Sequence, residues 1–215
     1  MRFLVLADVH GREKVAAWSN RLIERMHLDG VLVLGDITHF GPVPWAGEFL
    51  SRLQAPVYAV PGNCDPLGTI GQIEEHATCL HQRKVMIGER CFGGFGGSNP
   101  TVFNTPFEVP EEEIERGLRP IMERGMVLVV HCPPLGHNDL VPSIRKHAGS
   151  SAIKKLVDEF RPRAVLSGHI HEARGVHEQD GILYMNPGAA KDSYAGVLEL
   201  GDDVEVRLLD RVPED

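Results

Sequence analysis

Short apolar runs recur along the chain at Phe3 to Ala7, Val31 to Leu34, Val57 to Val60, Val127 to Val130 and Ala164 to Leu166, each ending at a small or polar residue. Their length and valine content predict buried strands. Between some of them the spacing changes. Val15, Trp18, Leu22 and Met26 recur every three to four residues, the apolar face of an amphipathic helix. Residues 44–54, 110–123 and 150–160 also read as helical, with Pro44 and Pro110 near their starts, where proline is tolerated.

The C-terminal part differs. Ile182 to Met185, Ala195 to Leu200 and Val204 to Leu209 are apolar segments, and Gly201-Asp202-Asp203 leaves no room for a helix between the last two. A hairpin is expected there, and another where Val85 to Ile87 and Cys91 to Phe95 flank Gly88-Glu89-Arg90. Parallel crossovers plus hairpins mean an α/β chain with mixed sheet. No repeat, low-complexity tract or linker divides it, so residues 1–215 read as a single domain. Gly93 to Pro110 is the longest irregular stretch, of a length that is often functional.

Composition narrows the function classes. The chain has 215 residues, 42% hydrophobic and 24% charged, enough for a sizeable core. The formal net charge is −8 and no basic run stands out, which argues against an extended nucleic-acid surface. The opening MRFLVLADVHG lacks the apolar region of a signal peptide, and no apolar run approaches the roughly 18 residues needed to cross a bilayer. A cytoplasmic protein without a membrane partner is expected, and a homo-oligomer is compatible with the sequence. Cys64, Cys79, Cys91 and Cys132 form no C-x-x-C pair and read as reduced thiols.

The chemistry lies where the five runs end. They are followed by Asp8-Val9-His10, by Gly35-Asp36, by Gly62-Asn63-Cys64-Asp65, by His131, and by Gly168-His169-Ile170-His171. Sites in α/β sheets form at the carboxyl ends of strands, so adjacent strands would bring all five groups to one rim. Asp8 with His10, and His169 with His171, stand two residues apart, which on extended chain points both to one face. Carboxylate, amide oxygen and imidazole favour manganese, iron or zinc over a thiolate site. Seven ligands exceed one tetrahedral ion. They fit two ions sharing a carboxylate, roughly 3.5–4 Å apart, able to deprotonate a bridging water and to hold phosphate oxygens for in-line attack. Any one of these motifs is commonplace as a turn or cap; their joint occurrence in this order is not.

The ordered set Asp8-x-His10, Gly35-Asp36, Gly62-Asn63-Cys64-Asp65, His131 and Gly168-His169-Ile170-His171 resembles the calcineurin-like metallophosphoesterase superfamily, and the chain's length and Asn186-Pro187-Gly188 look like its compact bacterial and archaeal phosphodiesterase branch. The resemblance implies a four-layer α-β-β-α sandwich, with two mixed β-sheets flanked by helices. It implies that Asp8, His10, Asp36 and His171 hold one metal, and that Asp36, Asn63, His131 and His169 hold the other. It further implies hydrolysis of a small phosphate ester, with Asn63, Cys64, Asp65 and His131 among the catalytic group. A non-catalytic scaffold of the same fold and a nuclease are the alternatives; the complete ligand set speaks against the first and the acidic charge against the second. The commonest family pattern has histidine where this chain has Cys64, which leaves the leaving-group acid open.

Other residues invite a role at the rim. His39, Asn99, His137 and Asn186 are candidates for substrate contact. Asp65 could orient a ligand or stabilise the turn before Pro66. The segment Gly93 to Pro100 could bring backbone N–H groups to a phosphate, although it lacks the lysine of a P-loop and reads better as a strand-to-loop turn. His27, His76, His81, His147 and His177 read as surface or packing histidines.

Overall fold

The computed structural model describes residues 1–212. In chain order the elements are β1 (Arg2–Leu6), α1 (Lys14–Met26), β2 (Gly30–Leu34), α2 (Val43–Ser51), β3 (Val57–Val60), α3 (Thr69–His76), β4 (Thr78–Cys79), β5 (Lys84–Ile87), β6 (Arg90–Phe95) and α4 (Glu111–Leu118). There follow β7 (Val127–Val130), β8 (Leu140–Val141), β9 (Lys146–His147), α5 (Ser151–Phe160), β10 (Ala164–Leu166), β11 (Gly175–Gln179), β12 (Ile182–Asn186), β13 (Gly196–Leu200) and β14 (Val204–Leu208).

Two six-stranded mixed sheets result. The first has the order β14-β13-β1-β2-β3-β4 and the second β11-β12-β10-β7-β6-β5. In the first, β1 to β4 run parallel and β13 and β14 close the edge antiparallel. In the second, β6, β7, β10 and β12 run parallel, with β5 and β11 as antiparallel edges.

The layering follows from side-chain alternation in strands buried on both faces. Phe3 and Val5 of β1 point one way and join Leu32, Leu34, Phe92, Val127, Val129 and Leu166, an apolar layer drawn from both sheets. Leu4 and Leu6 point the other way and meet Trp18, Leu22 and Phe49 from α1 and α2. On the far side Leu128, Val130 and Val165 meet Ile114, Leu118, Leu156 and Val157 from α4 and α5. Full burial of one such side chain contributes about 1.5–3 kcal/mol. The architecture is therefore helices, sheet, sheet, helices, as the resemblance implies.

Some elements differ from the sequence reading. The helix α3 was not expected; only Thr69 and Ile73 are buried in it, too few to show a periodicity. Strand β11 is a polar edge, mostly exposed, and so lacks an apolar run. Gly93 to Phe95 belong to β6 and not to an irregular stretch. At the end of the sheets opposite the carboxyl ends of β1, β2, β3, β7 and β10, the β5–β6 and β13–β14 turns with Met1 line an open cavity of about 600 Å³.

Candidate metal centre

All seven candidate ligands lie just beyond the carboxyl ends of strands: Asp8 and His10 after β1, Asp36 after β2, Asn63 after β3, His131 after β7, His169 and His171 after β10. Backbone bonds tie these ends together. Asp8 N–H donates to Gly35 O, His10 N–H to Asp36 O, and Gly168 N–H to His131 O. The sequence reading assumed that Asp8 and His10 share a face through extended chain. The route is different. Asp8, His10, Asp36 and His169 all sit at positive φ, 56°, 47°, 49° and 68°. The chain leaves β1, β2 and β10 by left-handed residues, a region in which Asp and His are over-represented among non-glycine residues. His171 opens a short 3₁₀ turn, His171–Ala173.

Two glycines make room for this crowding. A Cβ on Gly35 (φ 93°) would come within 2.6 Å of His131 Nδ1, and one on Gly62 would run into the Asp36 carboxylate and backbone nitrogen. Gly-Asp and Gly-Asn at these strand ends are thus steric requirements of the site.

The side chains fall into two overlapping groups. Asp8 Oδ1 lies 3.4 Å from His171 Nε2, and His171 Nε2 lies 3.3 Å from His10 Nε2. Asn63 Oδ1 lies 2.8 Å from both His131 Nε2 and His169 Nδ1. Asp36 faces both groups: Oδ2 is 3.6 Å from His10 Nε2, and Oδ1 is 3.4 Å from His131 Nε2. Asp8, His10 and His171 form one cluster able to hold a metal, and Asp8, Asp36 and His131 another.

Proton inventory tests whether cations fit. His131 Nδ1 donates to Leu34 O at 2.7 Å, so in the neutral ring Nε2 carries a lone pair. That lone pair faces Asn63 Oδ1 and Asp36 Oδ1, which are acceptors as well. Three acceptors converge with no proton to share, an arrangement that a divalent cation satisfies. Electrostatics agree. Burial holds His10 and His169 down at about 3, so both imidazoles stay neutral and able to ligate. Burial pulls Asp8 upward, but its hydrogen bond to His171 and the nearby histidines outweigh this and hold it at about 2. Asp36 is pushed up to about 6 by burial, with the charges of Asp8 and Asp65 adding to it, despite His131. Positive charge at the centre would relieve that penalty.

The remaining candidates occupy distinct places. His39 is exposed, and its Nδ1 stands 3.2 Å from His10 Nδ1. Cys64 is buried; His10, His39 and the thiol lie within 4.8 Å of one another. Burial, then the charges of Asp36, Asp65 and Asp8, push that thiol up, so it stays protonated. Asp65 accepts from the N–H groups of Gly62, Ile37 and Thr38 and from the Thr38 hydroxyl, binding the β2 and β3 ends together. Asn99 Oδ1 accepts from the Cys132 thiol. Asn186 is buried: its Nδ2 donates to Ile170 O, between His169 and His171, and its Oδ1 accepts from Gly188 N–H. His137 is buried in a stack with His177 and Tyr184. The N–H groups of Gly96, Gly97 and Ser98 bond to His81 Nδ1, Pro61 O and Phe107 O, so they are not presented to a phosphate.

Sequence reasoning missed three residues. Lys191 donates its N–H to Asp8 O, and its charge opposes protonation of His10 and His171. Thr105 accepts from Asn63 Nδ2 at 2.9 Å, and Glu108 holds Thr105. No motif spacing links Asn63 to a threonine 42 residues away.

Residues 1–173 match the calcineurin-like phosphoesterase family. The chain belongs to that family. It is a metal-dependent phosphoric ester hydrolase, and its family implies divalent metal ions. This phosphoesterase is 33% identical over 195 residues to an uncharacterized protein of Methanocaldococcus jannaschii, covering 87% of this chain and 88% of the relative. Its fold is similar to that of a Thermus thermophilus protein, with a TM-score of 0.74 at 15% identity over 96% of this chain and 98% of the other. It is also similar to an archaeal phosphodiesterase, with a TM-score of 0.56 at 17% identity over 97% and 100%. No helix among the phosphoesterase's described residues is long and apolar enough to cross a membrane.

Proposed function

We propose that the chain hydrolyses a small phosphodiester with the help of two divalent cations, Asp36 bridging them. The observation that carries this reading is the placement of the two Asp36 oxygens, one toward His131 and one toward His10. Asp8, His10 and His171 would complete one ion's ligands, and Asn63, His131 and His169 the other's. Such a pair supplies an activated water and positive charge to the phosphoryl oxygens.

The chain's own residues do the rest. Neutral His10 and His169 ligate without first losing a proton. Exposed His39 and the cation Lys191 stand beside His10, where they can meet phosphate oxygens. Protonated Cys64 is a weak acid, suited to esters whose leaving group needs little protonation. Manganese is the ion we favour among manganese, iron and zinc for this nitrogen and oxygen donor set. A net charge of −8 disfavours long nucleic acid as substrate. Four free cysteines suit a reducing cytoplasm.

The test is a hydrolysis panel on manganese-loaded and chelator-stripped protein. It contains an aryl phosphomonoester, an aryl phosphodiester, cyclic nucleotides, dinucleoside polyphosphates and long DNA. Turnover is expected on small diesters, lost on stripping and restored by manganese. Unchanged turnover by verified metal-free protein, or preference for long DNA, would overturn the reading.

A further inference from the structure

The segment between Ser98 and Val109 loops out and returns to run parallel beside Ser98. Ser98 and Glu108 form an isolated bridge, and Val109 N–H donates to Ser98 O. Its tip is exposed: Val102 by 93% and Phe103 by 80%. A loop carrying so much exposed apolar surface needs an internal anchor, and Glu108 provides one. Its carboxylate accepts from the N–H and hydroxyl of Thr101 and from the N–H and hydroxyl of Thr105. Burial would raise this carboxyl, but those bonds outweigh it and hold it down at about 2. The loop is tied to the metal centre twice: Phe107 N–H donates to Asn63 O, and Asn63 Nδ2 donates to Thr105 Oγ1.

Counting protons along this chain gives it a direction. A threonine hydroxyl has one hydrogen and two lone pairs. The Thr105 hydrogen goes to Glu108 Oε1 at 2.8 Å. Only lone pairs remain toward Asn63, so the NH₂ end of the amide must face Thr105. The carbonyl end is thereby turned to His131 and His169. Without Glu108 the hydroxyl could donate instead, and a flipped amide, presenting NH₂ to the centre, would be equally satisfied. A flipped Asn63 cannot ligate a cation.

We propose that Glu108 and Thr105 are positioning residues that fix the Asn63 amide with its oxygen toward the metal. The inference rests on Asn63 being a ligand, as argued above. Groups that orient a ligand in this way typically contribute about 10–100-fold in metal affinity. The loop that displays Phe103 is thus mechanically joined to one ligand of one ion, and its order and that ion's occupancy are coupled.

Calorimetric titration of chelator-stripped protein with manganese alone tests this. Thr105→Val keeps the shape and removes the hydroxyl; Thr105→Ser keeps the hydroxyl. Thr105→Val is expected to weaken one ion about 10–100-fold and leave the other at wild-type affinity, while Thr105→Ser binds both as wild type does. If Thr105→Val does not fold, Glu108→Ala carries the same expectation, since it removes the oxygen that takes the Thr105 proton. Wild-type affinity for both ions in Thr105→Val, or equal weakening in Thr105→Ser, would overturn the relay. Asn63→Ala is titrated alongside. If it keeps both ions, the ligand assignment itself fails; if it loses one while Thr105→Val keeps both, only the relay fails.

Discussion

Four of the seven candidate ligands hold a left-handed backbone, a conformation that costs a non-glycine residue of order 1–3 kcal/mol. The hydrogen bonds from Asp8, His10 and Gly168 to neighbouring strand ends keep them there. This bears on how the site should be probed. Asp36→Asn retains the shape and the tolerance for positive φ, so it removes charge and little else. Metal analysis of this variant is expected to show loss of both ions, together with activity, because both groups share that carboxylate. A variant with two ions and full turnover would contradict the bridging assignment. Gly62→Ala acts through space instead. Its methyl group would meet the Asp36 carboxylate, and relief requires moving either strand end. Overpacking of this kind costs about 1–3 kcal/mol. Urea unfolding of the metal-free variant should show that loss, and its metal content should fall; wild-type values for both would contradict the steric argument.

At the scale of elements, α4 and α5 share a joint. Ser150 caps α5, accepting from Ile153 N–H at 3.1 Å. Glu111, the first residue of α4, accepts from the Ser150 hydroxyl and from Ser151 and Ala152 N–H. One carboxylate thus satisfies donors at the start of the neighbouring helix, where its charge also suits the dipole. Ser150→Ala is expected to cost about 1 kcal/mol, read as a shift in urea midpoint without change in slope, and to leave metal affinity untouched. Which elements were legible depended on burial. Strands β1, β2, β3, β7 and β10 announce themselves because both faces are apolar, and the residue after each announces the site. The polar β11, the short α3 and the two-residue β4, β8 and β9 carry no such contrast. In the site, the candidate ligands could be gathered from the sequence because metal chemistry restricts residue types. Thr105 and Glu108 were not, because a hydrogen-bond relay can be built from ordinary residues at any separation. Asn186, at a strand end like the candidate ligands, lies buried between loop carbonyls; sequence position alone cannot distinguish a group that holds a loop from one that meets solvent.

In the whole molecule the candidate ligands divide between the sheets. Asp8, His10, Asp36 and Asn63 follow strands of the first, and His131, His169 and His171 follow strands of the second. Each proposed ion therefore has ligands from both. At the opposite end Arg90 of the second sheet reaches carbonyls of Gly201 and Asp202 of the first, beside an open cavity. Binding a cation is then a rivet through two plates along one edge only. Manganese at a hundredfold excess over its dissociation constant should add about 2.7 kcal/mol per ion, raising the melting midpoint by about 5–10 °C each. The gain should be local as well as global. Amide exchange should slow at the ends of β1, β2, β3, β7 and β10 when manganese is added, and stay unchanged at the β5–β6 and β13–β14 turns. Uniform slowing would mean that the two sheets already move as one body without the metal. With the rivet withdrawn, the sheets can part at the very edge where the substrate would enter, so metal loss should open a path for proteases between the ligand loops before the molecule unfolds as a whole.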